Sequence, residues 1–143
     1  MSYKGSCLCG SVCYEISEDI ISFQYCYCSR CRRSTGSAHA SNLIIAPDQF
    51  QWTKGSNLVG RFEPKDAKHF ATGFCKNCGS NLPWLTQSGQ AMIIPAGTLD
   101  ESFNNTPERN IFWGNKAPWY QLPTTLDTFE SVPGKSDACR LDD

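Results

Sequence analysis

Cys26-Tyr27-Cys28-Ser29-Arg30-Cys31 puts three thiols within six residues, and two further clusters flank it, Cys7-Leu8-Cys9-Gly10 before and Cys75-Lys76-Asn77-Cys78-Gly79 after. Seven of the nine cysteines fall in these runs. Thiols grouped so tightly point to metal. The two pairs can close one tetrahedral tetrathiolate site, the usual form of structural zinc, whereas three thiols leave a fourth position open for water or a substrate, as in catalytic zinc. The expectation is two zinc ions per chain with different roles. The second site is the one prone to be empty or oxidised, because exposed three-thiolate sites lose metal and oxidise more readily than closed ones.

Length, composition and charge narrow the classes. A length of 143 residues fits one domain, expected over residues 1–134, with 135–143 as a C-terminal tail. The formal charge of -1, with Lys/Arg and Asp/Glu interspersed, offers no basic stripe for a phosphate backbone, so no nucleic-acid partner is expected. No apolar run follows Met1-Ser2-Tyr3-Lys4-Gly5, and no segment has the length of a membrane span. An odd number of cysteines at metal-ligand spacing, with no export signal, favours reduced thiols over a disulfide framework and a cytoplasmic setting.

Gly and Pro punctuate the sequence at short intervals, and the segments between them are rich in aromatic and β-branched residues, which predicts a mainly β fold. Expected strands are Val12 to Ile16, Phe23 to Cys26, Ala40 to Ala46, Gln51 to Thr53, Leu58 to Glu63, Lys68 to Phe74, Asn81 to Trp84, Ala91 to Pro95 and Asn110 to Trp113. One short helix is expected over Ser29 to Thr35, with Ser29 as N-cap and Gly36 as its stop. Leu43-Ile44-Ile45 and Met92-Ile93-Ile94 are apolar on successive positions, the pattern of strands covered on both faces.

Cys75-x-x-Cys78-Gly79 has the form of a zinc knuckle, a tight turn that aims two thiolates at one metal. Cys7 and Cys9 would stand ~6.6 Å apart along an extended strand, too far for adjacent ligands unless the chain bends, and Gly10 supplies the bend. Around Cys26, Cys28 and Cys31, the arginines Arg30, Arg32 and Arg33 either neutralise the thiolates or also attract the carboxylates of an anionic thiol substrate. Other donors are Cys13, read as a core residue, Cys139 in the tail, His69 in a strand remote from the cluster, and His39. Of these, His39 is the acid/base candidate. Thr35 and Ser37 are candidates for binding the substrate's hydroxyl.

Gly5-Ser6-Cys7-Leu8-Cys9-Gly10-Ser11-Val12, Cys26-Tyr27-Cys28-Ser29-Arg30-Cys31-Arg32-Arg33-Ser34-Thr35-Gly36 and Phe74-Cys75-Lys76-Asn77-Cys78-Gly79-Ser80 together resemble the glutathione-dependent formaldehyde-activating enzyme family, which includes centromere protein V. Lys116-Ala117-Pro118-Trp119 also looks like a family feature. The resemblance runs from Gly5 to about Pro133. It implies a β-tent fold of several short antiparallel sheets, with Cys7, Cys9, Cys75 and Cys78 holding a structural zinc and Cys26, Cys28 and Cys31 a catalytic one. It also implies the joining of glutathione and formaldehyde into S-hydroxymethylglutathione, a carbon-sulfur lyase activity. Tyr27 stands where many relatives carry histidine, and Asn110 where a His-Ile pair is common; both changes would be expected to reshape the pocket.

The leading expectation is thus an enzyme in which a small-molecule thiol such as glutathione enters the open zinc position as thiolate and attacks a small carbonyl. A thiol or metabolite carrier without turnover is the alternative. A third reading makes both zincs structural and the surface an interaction module, with Trp52, Trp84, Trp113 and Trp119 as its patch.

Overall fold

The computed structural model describes residues 2–100 and 103–134; the expected 135–143 tail and Cys139 lie outside the described residues. The fold is mainly β, with one α-helix and three small sheets among the described residues. Strands β1 (Ser2–Ser6), β2 (Cys13–Ser17) and β5 (Phe50–Lys54) form an antiparallel sheet in the order β1-β2-β5. The second sheet joins β3 (Ile20–Cys26), β4 (Ala40–Ile45), β9 (Trp84–Leu85), β10 (Met92–Pro95) and β11 (Arg109–Ile111) in the order β11-β3-β4-β10-β9. Only its β11–β3 pair is parallel. The third, antiparallel sheet is β6 (Val59–Phe62), β7 (Thr72–Cys75) and β8 (Asn81–Leu82). No helix among the described residues is long and apolar enough to cross a membrane.

Side chains alternate across a strand, so each run of apolar residues serves two faces. Phe23, Leu43, Ile45, Met92 and Ile94 pack with Tyr14 and Ile16 of the first sheet into the main core. The intervening Ile44 and Ile93 face the other way, into a cavity. Both faces are indeed used, but only one belongs to the core.

Gly5 of β1 lies opposite Tyr14 of β2, and a Cβ there would stand 2.2 Å from the Tyr14 ring. That ring is fully buried and its hydroxyl sits 2.6 Å from Thr98 Oγ1, so it has little freedom to yield. Gly5→Ala is expected to lower stability by about 1–3 kcal/mol through overpacking. A melting temperature equal to that of the unsubstituted chain would contradict this packing.

Several boundaries differ from the sequence expectation for identifiable reasons. The N-cap of α1 (Ser29–Thr35) is Cys28, whose sulfur accepts the Cys31 N–H at 3.3 Å; Ser29 is the first helical residue. Gly36 ends the helix in the left-handed conformation. The segment from Lys68 to Phe70 is loop, and the strand begins at Thr72, because the carbonyls of His69 and Phe70 accept hydrogen bonds from the backbone and side chain of Gln87. Trp113 lies past the end of β11 in a 3-10 turn over Trp113–Asn115. Strand β1 is absent from the expected list, since Ser2–Ser6 has no β-branched residue and is held in register by β2 and by a bridge from Gly5 to Leu99.

Two cysteine clusters and the cavity beside one of them

Cys7, Cys9, Cys75 and Cys78 bring their sulfurs within 4.8 Å of one another. The bend that makes this possible is a turn in which Gly10 N–H donates to the Cys7 carbonyl, bringing the Cys7 and Cys9 sulfurs 3.6 Å apart. On the other side Gly79 N–H donates to Cys75 O, and Cys9 Sγ lies 3.9 Å from Cys75 Sγ. Gly10 and Gly79 both have positive φ, as such turns need. Four sulfurs at ~2.3 Å from a tetrahedral zinc stand ~3.8 Å apart, so this donor set fits that ion. Hydrogen bonds from Ser11 and Asn77 lower the Cys9 thiol to about 5, toward the thiolate a metal needs.

Cys26 ends β3, Cys28 caps α1 and Cys31 follows in its first turn; their three sulfurs also lie within 4.8 Å of one another. No fourth Cys, His, Asp or Glu among the described residues joins the group. Hydrogen bonds from Cys26 and Cys31 hold the Cys28 thiol far below its usual range, and neighbouring sulfurs push Cys31 up. Soft sulfur donors at this spacing suit zinc as well. Among the described residues the two clusters can therefore each hold a metal ion, and their cysteines are free thiols.

The three-thiol cluster borders a cavity of about 610 Å³, within the range of small-molecule sites. Its floor is the outer face of the five-stranded sheet; α1, the Lys68–Phe70 loop and the Ile111–Asn115 segment wall it in. Arg30 and Lys68 contribute positive charge. Arg30 also meets Asp66 at 3.4 Å, an exposed pair worth little.

The structure redistributes the other candidates. Arg33 lines a neighbouring groove with Phe62 and Phe74, and Arg32 and Ser37 line neither space. The Thr35 hydroxyl donates to the Cys31 carbonyl at 2.7 Å, inside the helix end. His39 stacks on Tyr25, 4.1 Å between ring centroids, on the core face of the sheet, opposite Cys26 and Asn42. Strand alternation sets this, since His39 shares its parity with Ser41 and Leu43.

His69 is brought in instead. It lines the cavity with Cys26, Cys28 and Cys31, and its Nδ1 is 2.9 Å from Ser88 Oγ. Ser88 Oγ is 3.1 Å from Thr86 Oγ1, which accepts the N–H groups of Gln90 and Ala91 and so has its proton to give to Ser88. His69 had looked remote because 38 positions separate it from Cys31. Gln24, Asn42, Lys68 and Asn115 were missed as well, and no local signal marks them. Tyr27 and Asn110 do not line the cavity. Tyr27 is buried beside Trp113 and Tyr120, and Asn110 is exposed on β11, so neither side chain forms part of the cavity wall.

A profile of the family described as "Glutathione-dependent formaldehyde-activating enzyme" matches residues 2–115. The chain belongs to this family. A Halomonas elongata protein named "Putative glutathione-dependent formaldehyde-activating enzyme" is 27% identical over 133 residues, covering 85% of this chain and 82% of its own. A crystal structure of a Rhodobacter sphaeroides protein superposes with a TM-score of 0.59 at 20% identity, over 75% of this chain and 97% of the other, which speaks for the fold. Within this family member the Lys116-Ala117-Pro118-Trp119 run has a structural place. Ala117 is buried, Lys116 Nζ sits 4.6 Å over the Trp113 ring, and Asn115 just before it lines the cavity. Trp113 and Trp119 are exposed, while Trp84 lines the cavity and Trp52 packs on the core.

Proposed function

We propose that this family member is a zinc-dependent carbon-sulfur lyase-like enzyme that makes or breaks the adduct of a glutathione-type thiol with a small carbonyl compound. The observation that carries the reading is the three-thiol cluster, without a fourth donor among the described residues, opening on a cavity that also holds Arg30, Lys68 and His69. Cys7, Cys9, Cys75 and Cys78 would hold the structural zinc and Cys26, Cys28 and Cys31 the catalytic one. Zinc at the open site supplies a Lewis acid that lowers the pKa of an arriving thiol.

The chain's own residues do the rest. Arg30 and Lys68 attract the carboxylates of the thiol compound, and the cavity wall holds sulfur and carbonyl carbon in reach of each other. With Nδ1–H donating to Ser88 Oγ, which also accepts from Thr86, His69 keeps an unprotonated Nε2 to take the thiol proton. The sulfur lone pair forms the S–C bond, the C=O π pair moves onto oxygen, and that oxygen takes the proton back from His69. The reverse path cleaves the adduct with the same groups. Free thiols at the described cysteines fit a cytoplasmic setting.

The test is cobalt substitution with metal counted per chain, followed by titration with glutathione. Two metals, one of them gaining a thiolate-to-cobalt charge-transfer band, are expected. Two metals and an unchanged spectrum up to millimolar glutathione would overturn the open-site reading. For His69, replacement by alanine is expected to slow turnover by ~10²–10⁴-fold, the range of general acid–base contributions, with recovery on adding imidazole. Full activity in His69→Ala removes it from the mechanism.

A further inference from the structure

Strand register places a row of two isoleucines, Ile44 and Ile93, at the end of the cavity away from the thiols. Cys26 pairs with Ala40, Gln24 with Asn42, and further along β4 Ile44 pairs with Ile93, which in turn pairs with Trp84. Ile44, Ile93 and Trp84 all line the cavity; Phe70, which packs on the Cys26–Cys31 cluster, meets Trp84 edge-on at 5.3 Å and continues the apolar surface toward the thiols. Four residues of strand separate Ala40 from Ile44, so the row begins ~13 Å from the level of Cys26. Gln24 and Asn42 bridge the interval.

Formaldehyde adds one carbon to a thiol and cannot reach such a row. A peptidic thiol laid across it would put amides and charges onto isoleucine and tryptophan, without hydrogen-bond partners. No Asp or Glu among the described residues lines the cavity, so an α-ammonium group meets no carboxylate on its described wall. Resting on the function proposed above, we infer that the substrate is a thiol–carbonyl adduct carrying an apolar group of medium-chain or aryl size. That group lies on Ile44, Ile93 and Trp84, while the polar part stays near Gln24, Asn42, Arg30 and Lys68. The chemistry is unchanged: the thiol S–H adds across C=O, the S–C bond forms and the proton ends on oxygen, with no oxidant or reductant.

The zinc-loaded chain should be assayed with glutathione adducts of the straight-chain aldehydes from formaldehyde to hexanal, each rate divided by the uncatalysed rate of the same adduct. A second arm pairs formaldehyde with thiols of rising chain length, which tells whether the apolar group belongs to the carbonyl or to the thiol. The expected result is a rise in normalised kcat/KM of roughly fourfold per methylene buried in one of the two series. Ile93→Asn should flatten that slope, a ratio within one variant that tolerates partial loss of folded protein. Should that variant fail to fold, the wild-type slopes decide alone. Turnover with flat or falling slopes in both arms overturns this inference and leaves the proposed function standing. An absence of turnover with every adduct, together with no charge-transfer band in the cobalt titration, overturns the function itself and this inference with it.

Discussion

Cys75→Ser is expected to yield a chain with no cooperative unfolding transition and with the metal of the four-thiol cluster lost. A structural zinc contributes an apparent ~10–16 kcal/mol, comparable to the ~5–15 kcal/mol by which a whole domain is stable. Here the metal would tie the turn after β1 to the turn after β7, segments whose other links include the Leu8 N–H to Ser80 Oγ bond at 3.0 Å and the Asn77 amide on Cys9 Sγ. Cys7 and Cys75 are also buried with Val12 and Leu82, so losing the centre leaves thiols and a disordered turn inside the second core cluster. Thermal denaturation followed by circular dichroism, with metal counted in the same sample, checks this. A variant that melts cooperatively at the wild-type temperature with both metals present would show that the four thiols are not a structural metal centre.

Cys28→Ser is expected to do the opposite, removing activity while the fold stands. Serine is among the best helix N-caps, so the Cys31 N–H keeps an acceptor and α1 keeps its start. The open site loses one of its three sulfurs, and the loss of activity should exceed the ~10–100-fold that changes behind metal ligands cost. Comparing kcat/KM and melting temperature with wild type separates the two effects. Full activity with both metals retained would end the assignment of Cys28 to a catalytic centre.

The contrast between these variants follows from where each cluster sits. Four thiols enclosed between two hairpin-like turns form a closed donor set. Three thiols where a strand runs into a helix face a cavity, and no other Cys, His, Asp or Glu among the described residues comes near enough to close the group.

The thiol clusters were legible because each thiol pair is local. Cys75-x-x-Cys78 and Cys28-x-x-Cys31 lie within a single turn, and a turn's geometry is a property of a few residues. Strand content was legible for the same reason, through the apolar runs and the glycine and proline breaks. The helix was placed over Ser29 to Thr35, but its cap was assigned to Ser29 because serine is the commoner cap; the sulfur of Cys28 takes that role. His39 and His69 exchanged standing. The first is near Cys31 in sequence but on the wrong side of β4, and the second is distant in sequence but held at the cavity by Ser88 and by Gln87, whose N–H groups fix the carbonyls of His69 and Phe70.

By itself the sequence determined the family, the mainly β fold and the two groups of thiols, because short spacings and turn residues act over a few bonds. Only the tertiary structure decided which side chains share the cavity with Cys26, Cys28 and Cys31. That choice depends on strand register and on which face each residue presents, and a shift of one residue exchanges the two faces. Pairing of Ile44 with Ile93, and the docking of the Lys68–Phe70 loop beside the thiols, arise between segments tens of residues apart. No local stretch of the chain encodes them.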